Sequence, residues 1–377
     1  MRATRQVAIT ACRLLQFHLL SWKVDRMTIR SRSALVNCTL ILVLLLAPVV
    51  TIAQAVTGVG FQAIVIHDPV NGGTTPGYVF YPSAQPSKVT WRGPYELHAT
   101  PDAPPIAGAK PLVVISHGHG GSDLGHHDLA AYLASHGFVV ATLEHPKDNF
   151  HDMSGVGTAA VLDGRPIQLK AAISELLNDP HWKTLIDPNR IGVTGFSAGG
   201  YAALMVVGAV PRFDLYVGYC ARHPHDPDCG MLQKLQSQGT ATAALAALQA
   251  SLDHWGKPDD PRVKAAFVMA PLSLVFDKTG LAHVNRPVFL YYGQDDQVLL
   301  PQENVLHIAP LLKTLAGTRM IPKAGHYVFL APCSPQLSKD APDLCKDPPG
   351  VDRITVHQRI NANALAFFRK TLGVAAH

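Results

Sequence analysis

The stretch RIGVTGFSAGG, residues 190–200, decides the fold of this chain. Its first seven residues predict a strand that is mostly apolar after Arg190, and the small and apolar residues after Gly200 are typical of a buried helix. Gly195 and Gly199 flank Ser197, and small residues at these two places let a strand and a helix approach each other across a sharp turn. The stretch therefore predicts a strand, a turn and a helix, with Ser197 on the turn.

The spacing Gly-x-Ser-x-Gly is a weak signal by itself, because it also occurs by chance in a chain with 30 glycines. An inert serine in a tight turn is the alternative interpretation. The flanking strand and helix favour a nucleophile, since the hydroxyl of Ser197 would then project at a helix N-terminus. Backbone N–H groups and the helix dipole stabilise developing negative charge there.

Strands and helices alternate along most of the rest of the chain. Continuous apolar runs of strand length are typical of parallel strands that are covered on both faces. Such strands are predicted in PLVVISH (111–117), FVVATLEH (138–145), VKAAFVMAP (263–271), RPVFLYYG (286–293) and TRMI (318–321); helices are predicted in DLAAYLASHG (128–137), RPIQLKAAISELLND (165–179), ENVLHIAPLLKTL (303–315) and TVHQRINANALAFFRKTL (355–372). The alternation predicts an α/β fold with a mostly parallel, doubly wound sheet and helices on both faces.

Two segments depart from this alternation. Near the start, FQAIVIHDPV (61–70) and GYVFYPS (77–83) predict two strands joined by a hairpin, and a proline-rich stretch from about 82 to 111 is expected to run over the surface. Residues 211–262 are polar at first and then helical in pattern. They predict a lid-like insertion folded over the C-terminal edge of the sheet, where such sheets bind ligands. Residues 56–377 are expected to form a single domain that carries this insertion.

The formal net charge of +5 comes from the first segment of the chain. Residues 1–55 hold seven of the 32 Lys and Arg residues but only one of the 27 Asp and Glu residues. The remainder has 25 basic and 26 acidic residues, which gives a net charge of −1. Nothing in this balance favours binding to nucleic acid.

Residues 1–55 have the parts of a secretory signal peptide. Arg30 and Arg32 precede the apolar run LILVLLLAPVVTIA (40–53), and AQA (53–55) fits a cleavage site that would leave Val56 as the mature start. Translation is expected to begin at Met27. An uncleaved membrane anchor is the alternative, but the apolar run is short for a span and contains Pro48. The segment therefore predicts a secreted or periplasmic protein with no stable membrane span after cleavage.

Four cysteines lie beyond this signal peptide, which fits an exported protein with two disulfides. Four cysteines allow three pairings. We favour Cys220–Cys229 and Cys333–Cys345, because short loops close easily. Four free or metal-binding cysteines are the alternative, and a zinc site fits poorly, because the spacing contains no CxxC pair.

A serine nucleophile needs a base, and the base needs an acid that orients it. In a fold of this kind the order along the chain is serine, acid, histidine, with each residue at the end of a strand. FLYYGQDDQV (289–298) provides Asp296, with Asp295 as the alternative acid, and IPKAGHYVFL (321–330) provides His326. Other histidines, among them His357, lie within or beside predicted helices or before the acid and fit the role less well.

The tetrahedral intermediate of such a reaction needs two N–H donors near its oxygen. Ala198 would supply one, and His119 in the glycine-rich stretch VVISHGHGGS (113–122) would supply the other through its backbone. Histidines cluster in and after this stretch, which raises a metal site as an alternative. Their spacing resembles no HExxH-type site, and the reaction needs no metal, so neither a metal nor a cofactor is expected.

Five motifs together resemble the α/β-hydrolase superfamily: SHGHGGS, ASHGFVVATLEHP, DPNRIGVTGFSAGG, YYGQDDQV and KAGHYVFL. More narrowly, they resemble the bacterial dienelactone-hydrolase-like and platelet-activating-factor-acetylhydrolase-like serine esterases over most of residues 60–370. The resemblance implies an α/β-hydrolase fold, a Ser197–His326–Asp296 triad and an oxyanion hole at His119 and Ala198. Dienelactone hydrolases use a cysteine nucleophile, so the serine makes dienelactone itself a poor candidate substrate.

The predicted function is that of a secreted or periplasmic serine hydrolase that cleaves small-molecule or lipid-like carboxylic esters. An amidase, lactonase or peptidase with the same triad is an alternative. A third possibility is a catalytically silent scaffold that binds a ligand. Four parts occur in the expected order along the chain, namely the oxyanion turn, the nucleophile, the acid and the base, and this order favours catalysis.

Overall fold

A mixed β-sheet runs through residues 58–374, the part of the chain that the computed structural model describes. Its strands, with those of a small separate hairpin, are β1 (Gly58–His67), β2 (Thr74–Ser83), β3 (Val89–Arg92), β4 (Tyr95–His98), β5 (Thr100–Pro101), β6 (Lys110–Ser116), β7 (Val139–Leu143), β8 (Ile186–Phe196), β9 (Val263–Met269), β10 (Val288–Gly293) and β11 (Leu315–Ile321). The nine strands of the main sheet lie in the order β11-β10-β9-β8-β6-β7-β2-β1-β5. The six strands from β6 to β11 are parallel, whereas β2 is antiparallel to both β1 and β7.

Helices connect most of these strands. They are α1 (His127–Ser135), α2 (Ala159–Leu162), α3 (Gly164–Asn178), α4 (Ala198–Val206), α5 (Leu215–Arg222), α6 (Gly230–Ser237), α7 (Ala241–Ala250), α8 (Val305–Ile308), α9 (Pro335–Asp340), α10 (Pro342–Cys345) and α11 (Arg353–Thr371). Short 3₁₀ turns add Trp182–Thr184, Pro227–Cys229, Ala309–Leu311 and His326–Phe329. The helix expected over 303–315 is interrupted at Pro310, as the proline in this run predicts, because Pro310 lacks the N–H that would continue α8.

The central strands are covered on both faces, as their continuous apolar runs predict. All five residues of β7 are buried, and so are six of the seven in β6. One core includes Ile173 of α3 and Leu204 of α4, and the other includes Leu133 of α1 and Phe368 of α11. The predicted α/β fold, with a mostly parallel sheet and helices on both of its faces, is confirmed.

The first strands form the predicted hairpin, but the proline-rich stretch after them is more structured than expected. Residues 82–111 contain the hairpin β3–β4 and the short strand β5, which pairs in parallel with β1. Leu97 and Ala99 are buried in the core on the α1 face. Proline content marked this stretch as a loop, but apolar side chains between the prolines anchor it to the sheet.

The segment that the sequence predicts to be an insertion, residues 211–262, contains α5, α6 and α7. Several polar pairs join it to the rest of the described chain. Arg222 pairs with Glu303 beyond β10, Ser251 with Asp163 before α3, and Arg212 with Asp277. Glu303 and Asp163 both follow the carboxyl ends of strands, so this segment contacts that edge of the sheet. Its role as a lid stays a prediction.

The predicted signal peptide, residues 1–55 with a start at Met27, lies outside the described residues. Within residues 58–374, no helix is both long and apolar enough to cross a membrane.

Candidate active site

Ser197 lies on a strained turn between β8 and α4. Its φ of 56° and ψ of −120° are unusual for a residue other than glycine. The turn is tight because a Cβ added to Gly195 would lie 2.2 Å from the carbonyl oxygen of Gly199. A Cβ added to Gly199 would lie 2.0 Å from the carbonyl oxygen of Ser116 on β6. The two glycines that the sequence singled out are therefore required by backbone contacts.

The turn is anchored to the neighbouring strand and opens a helix. The N–H of Ser197 donates to the carbonyl oxygen of Met269 at the end of β9, over 3.0 Å. Ala198 is the first residue of α4, so its N–H has no acceptor within that helix. This N–H lies at the N-terminus of α4 and directly follows Ser197 in the chain.

Asp296 and His326 form a buried hydrogen bond. Nδ1 of His326 lies 2.7 Å from Oδ2 of Asp296, and both side chains are at most 3% exposed. The other carboxylate oxygen, Oδ1, accepts the N–H groups of Val298 and Leu299 at 2.9 and 2.8 Å, which leaves Oδ2 for the imidazole. Asp295, the alternative acid, is exposed. The geometry therefore pairs His326 with Asp296 rather than with its neighbour.

His326 opens a 3₁₀ turn that a second histidine supports. Nε2 of His357 on α11 donates to the carbonyl oxygen of Val328, over 2.9 Å, and its Nδ1 lies 2.7 Å from Oδ2 of Asp128. Burial by itself would lower the pKa of His357, but the charge of Asp128 and this hydrogen bond raise it above its usual value. The position of His357 in a predicted helix argues against a role as catalytic base, and nothing in the sequence indicates this supporting role. No local motif signals the role, because its two partners, Asp128 and Val328, lie on distant elements.

Aromatic packing brings the histidine to the serine turn. The ring of Phe196, the residue before Ser197, lies against the imidazole of His326 with centroids 4.6 Å apart. Gly118 of the glycine-rich turn lies on the same ring. A Cβ added there would be 2.9 Å from Phe196 and 3.4 Å from the Cβ of Ser197. Ser197, His326 and the glycine-rich turn thus surround one aromatic side chain.

The glycine-rich stretch ends β6 in a turn. The N–H of Gly121 donates to the carbonyl oxygen of Gly118 over 3.1 Å, and Gly120 has a φ of 61°, which favours glycine. His119 lies within this turn, and its ring Nδ1 contacts the carboxylate of Asp148. The structure thus places the backbone of His119 on a turn that begins next to Ser197.

The four clustered histidines have separate partners. His117 and His126 are buried, and desolvation lowers the pKa of His117 to about 3 and that of His126 to about 4, so both are neutral at pH 7. His126 and His127 face the rings of Phe196 and Tyr95, respectively. In residues 58–374, no group of three or more His, Cys, Asp or Glu side chains is arranged to hold a metal ion.

Both disulfides that loop length favours are present in the structure. Cys220–Cys229 links α5 to the turn before α6, and Cys333–Cys345 closes the loop that follows His326. The second bridge lies seven residues beyond the candidate base. It therefore restricts the conformations of the loop that follows His326.

Comparison with known proteins gives two family matches in adjoining parts of the chain. Residues 171–332 match the prolyl oligopeptidase family, and this range includes Ser197, Asp296 and His326. Residues 98–165, which include the glycine-rich turn, match the family of platelet-activating factor acetylhydrolase, isoform II. No curated protein matches the chain significantly.

The fold has a counterpart among solved structures. A ferulic acid esterase from Streptomyces cinnamoneus is similar with a TM-score of 0.54 and 20% sequence identity, over 88% of this chain and 94% of that chain. At this identity the likeness concerns the fold, and it confirms the α/β-hydrolase architecture that the motifs predicted. Together with the two family matches, this architecture identifies the chain as a hydrolase of the α/β-hydrolase superfamily.

Proposed function

We propose that this chain is a secreted or periplasmic serine hydrolase that cleaves carboxylic esters through an acyl-enzyme intermediate. The observation that carries the proposal is the buried pair Asp296–His326 beside a serine in a strained strand-to-helix turn. Ser197 is the nucleophile, His326 the base and Asp296 the acid that orients the base. A serine held with φ of 56° is what an active-site nucleophile in such a turn requires.

The reaction follows from these positions. Nε2 of His326 takes the proton of the Ser197 hydroxyl while the Oγ atom attacks the ester carbonyl. The imidazolium then protonates the leaving alcohol, and the C–O bond to the alcohol breaks. Water enters, loses a proton to the same imidazole and releases the acid from the serine. Asp296 accepts the Nδ1–H throughout, which keeps Nε2 free to act.

The oxyanion of each tetrahedral intermediate is held by two backbone N–H groups in this proposal. One belongs to Ala198 at the start of α4, and the other to His119 in the glycine-rich turn. Loss of one such donor typically lowers kcat by about 10²–10³-fold. The reaction needs no cofactor, and its substrate is a small-molecule or lipid-like ester.

Export is part of the proposal. The two disulfides are stable in an oxidising compartment, which supports a periplasmic or extracellular location. The signal peptide predicted in residues 1–55 would direct the chain there.

A peptidase is the second candidate, because residues 171–332 match the prolyl oligopeptidase family. The same triad would attack an amide carbonyl, and His326 would protonate the leaving amine. Parallel assays on p-nitrophenyl esters, p-nitroanilides of short peptides and lactones separate these activities.

The test of the triad is Ser197→Ala, with Ser174→Ala on α3 as the matched control. We expect Ser197→Ala to lower kcat for p-nitrophenyl acetate by about 10⁶-fold, because the nucleophile is gone. Ser174→Ala should keep wild-type kcat. A fluorophosphonate should label the wild type and the control but not Ser197→Ala. A folded Ser197→Ala protein with substantial activity would overturn the assignment.

A further inference from the structure

A buried ion pair lies beneath the glycine-rich turn. Nε of Arg165 on α3 is 3.3 Å from Oδ2 of Asp148, and the two side chains are 2% and 1% exposed. Arg165 is the largest of the fully buried side chains in the described residues. Moving two such charges out of water is unfavourable unless further hydrogen bonds compensate for it. The hydrogen bonds of Arg165 and Asp148 therefore indicate which part of the protein this ion pair stabilises.

Both members of the pair bind the glycine-rich turn. Oδ1 of Asp148 accepts the N–H of Gly120 over 3.1 Å and contacts Nδ1 of the His119 ring. Nη2 of Arg165 donates to the carbonyl oxygen of Gly118 over 3.3 Å. The pair thus contacts three successive residues of the turn from the inside of the protein.

The carbonyl oxygen of Gly118 is held by two further donors. One is the N–H of Gly121, at 3.1 Å, and the other is Nδ1 of His117, at 2.6 Å. His117 carries its proton on Nδ1 because its Nε2 accepts the N–H of His145 over 3.0 Å. Three donors, among them the guanidinium of Arg165, therefore direct this carbonyl toward the interior.

The direction of that carbonyl determines the direction of one N–H group. The peptide unit between Gly118 and His119 is planar and trans, so its N–H points opposite to its C=O. Since the Gly118 carbonyl points at Arg165, the N–H of His119 points away from the buried pair. It is this N–H that the proposed function assigns to the oxyanion hole.

We propose that Arg165, held by Asp148, is a positioning residue that orients the His119 N–H toward the oxyanion. This inference rests on the proposed function. The pair touches no reacting atom, but it prevents the Gly118–His119 peptide from rotating. A fixed donor stabilises the transition state more than the ground state, because negative charge on the substrate oxygen develops only during attack.

The variant that tests this role is Arg165→Lys. A lysine keeps a positive charge beside Asp148, but it lacks the planar fork that reaches both the carboxylate and the Gly118 carbonyl. We expect kcat for p-nitrophenyl acetate to fall by about 10²-fold, the loss typical of one oxyanion donor, while KM changes little. The affinity for a trifluoromethyl ketone, whose hemiketal oxygen mimics the oxyanion, should fall by the same factor as kcat/KM.

Asp148→Asn is the second variant, because it keeps the shape of the side chain but removes the charge that holds Arg165. The matched control is Arg262→Lys, which alters an arginine–aspartate pair with Asp260 at the amino end of β9, the edge of the sheet opposite Ser197. Arg262→Lys should keep wild-type kcat and ketone affinity.

Three outcomes would overturn the positioning role. They are a folded Arg165→Lys protein with wild-type kcat, a loss of kcat without loss of ketone affinity, and failure of both pair variants to fold, which would assign the pair to stability. Absence of ester hydrolysis and of fluorophosphonate labelling in the wild type would instead overturn the proposed function.

A second, independent observation concerns exposed apolar side chains. Thirteen large apolar side chains are exposed in residues 58–374, and five of them lie on segments next to the candidate site. We call these five the apolar rim: Phe150, Met153, Val156, Val298 and Tyr327. Single exposed apolar residues are common, but a group around one site marks a binding surface.

Three members of the rim lie on a segment that is bound to the glycine-rich turn. The N–H of Phe150 donates to the carbonyl oxygen of Gly121 over 3.0 Å. Sδ of Met153 lies 3.1 Å from the position of a Cβ added to Gly120, so its side chain covers that glycine. Phe150 and Met153 are each 57% exposed. Their apolar surface is thus presented to solvent within a residue or two of the proposed oxyanion donor.

The other two members lie one or two residues after the base and the acid. Tyr327 is the residue after His326, and Val298 lies two residues after Asp296. We infer that the apolar rim binds the apolar part of the ester substrate, so that hydrolysis favours long-chain or aromatic esters over acetates. This inference also rests on the proposed function.

The test compares Met153→Ser and Phe150→Ser with Met231→Ser, which makes the same change at an exposed methionine on α6. The substrates are p-nitrophenyl esters from acetate to decanoate and acetate esters of short and long alcohols. We expect the two rim variants to reduce the preference for long over short chains by on the order of tenfold in kcat/KM, because burial of apolar surface is lost. If the chain-length preference changes among the p-nitrophenyl esters, the apolar rim binds the acyl group. If it changes among the acetate esters, the rim binds the alcohol.

Two results would overturn the binding role of the rim. One is an unchanged chain-length preference in both rim variants, and the other is an equal change in Met231→Ser. A wild type that hydrolyses no ester at all would overturn the proposed function instead.

Discussion

The serine turn and the insertion that follows it are held in place by different means. At the turn, Gly195 and Gly199 lie so close to neighbouring backbone that no side chain fits. In residues 211–262, Gly230 begins a helix with open space around it, and a disulfide and surface ion pairs join the elements. The turn is constrained by backbone sterics, whereas the insertion is held by side-chain contacts, both these cross-links and buried residues such as Phe213 in the core on the α3 face.

This difference indicates which parts of the molecule tolerate amino-acid substitutions. A backbone contact below van der Waals distance leaves no room for relaxation, so a single methyl group affects two strands and a helix. An exposed ion pair contributes little, because both charges remain solvated. The site should therefore be sensitive to small steric changes, and the insertion to loss of its covalent link.

The largest expected effect is that of Gly199→Ala compared with Gly230→Ala. The new methyl group of Gly199→Ala would meet the carbonyl oxygen of Ser116 at 2.0 Å, so we expect the free energy of unfolding to fall by about 3 kcal/mol or more. Gly230→Ala should leave it unchanged or raise it by up to about 1 kcal/mol. Urea unfolding followed by circular dichroism measures both. Equal effects of the two substitutions would contradict the comparison.

Acid should destabilise the protein through the buried histidines near the site. Burial depresses the pKa of His126 from 6.5 to about 4, and its side chain is fully buried. Between these values the unfolded chain binds a proton that the folded chain does not, so the free energy of unfolding falls as the pH falls from about 6.5 to about 4. One such histidine contributes up to about 3 kcal/mol over this window.

The measurement is the melting temperature at several pH values between 7 and 4, for the wild type and for His126→Gln. The glutamine does not titrate, so the melting temperature of this variant should depend less on pH over the same window. Identical pH dependence in the two proteins would show that His126 is not the source.

The smallest effect expected is loss of the disulfide within the insertion. The double variant Cys220→Ala/Cys229→Ala should lose about 2–3 kcal/mol of unfolding free energy, since the bridge closes a loop over a sequence separation of 9 residues. The matched double variant Cys333→Ala/Cys345→Ala, with a separation of 12, should lose a similar amount. A melting temperature that does not change on adding a reductant would contradict both expectations.

Much of the fold followed from local patterns along the chain. Continuous apolar runs predicted β6 to β10, and glycine spacing predicted the strand–turn–helix around Ser197. The proline-rich stretch after β2 was harder to interpret, because Leu97 and Ala99 are buried only through contacts with distant elements.

Some residues of the candidate site could likewise be predicted from the sequence, and others could not. The order of Ser197, Asp296 and His326 along the chain was readable, because each follows the end of a predicted strand. The supporting residues were not. His357 lies 229 positions from Asp128, and Arg165 lies 47 from Gly118, so no local motif joins them.

Local sequence patterns were enough to predict the alternation of strands and helices, the sharp turn at Ser197 and the candidates for base and acid. Sterics, apolar periodicity and turn chemistry act between residues close in the chain, which is why they can be read there. Only the tertiary structure decided that Asp296 and not Asp295 meets His326, and that Arg165 and Asp148 lie beneath the glycine-rich turn. Buried polar groups need partners, and packing between elements far apart in the chain decides which partners they find.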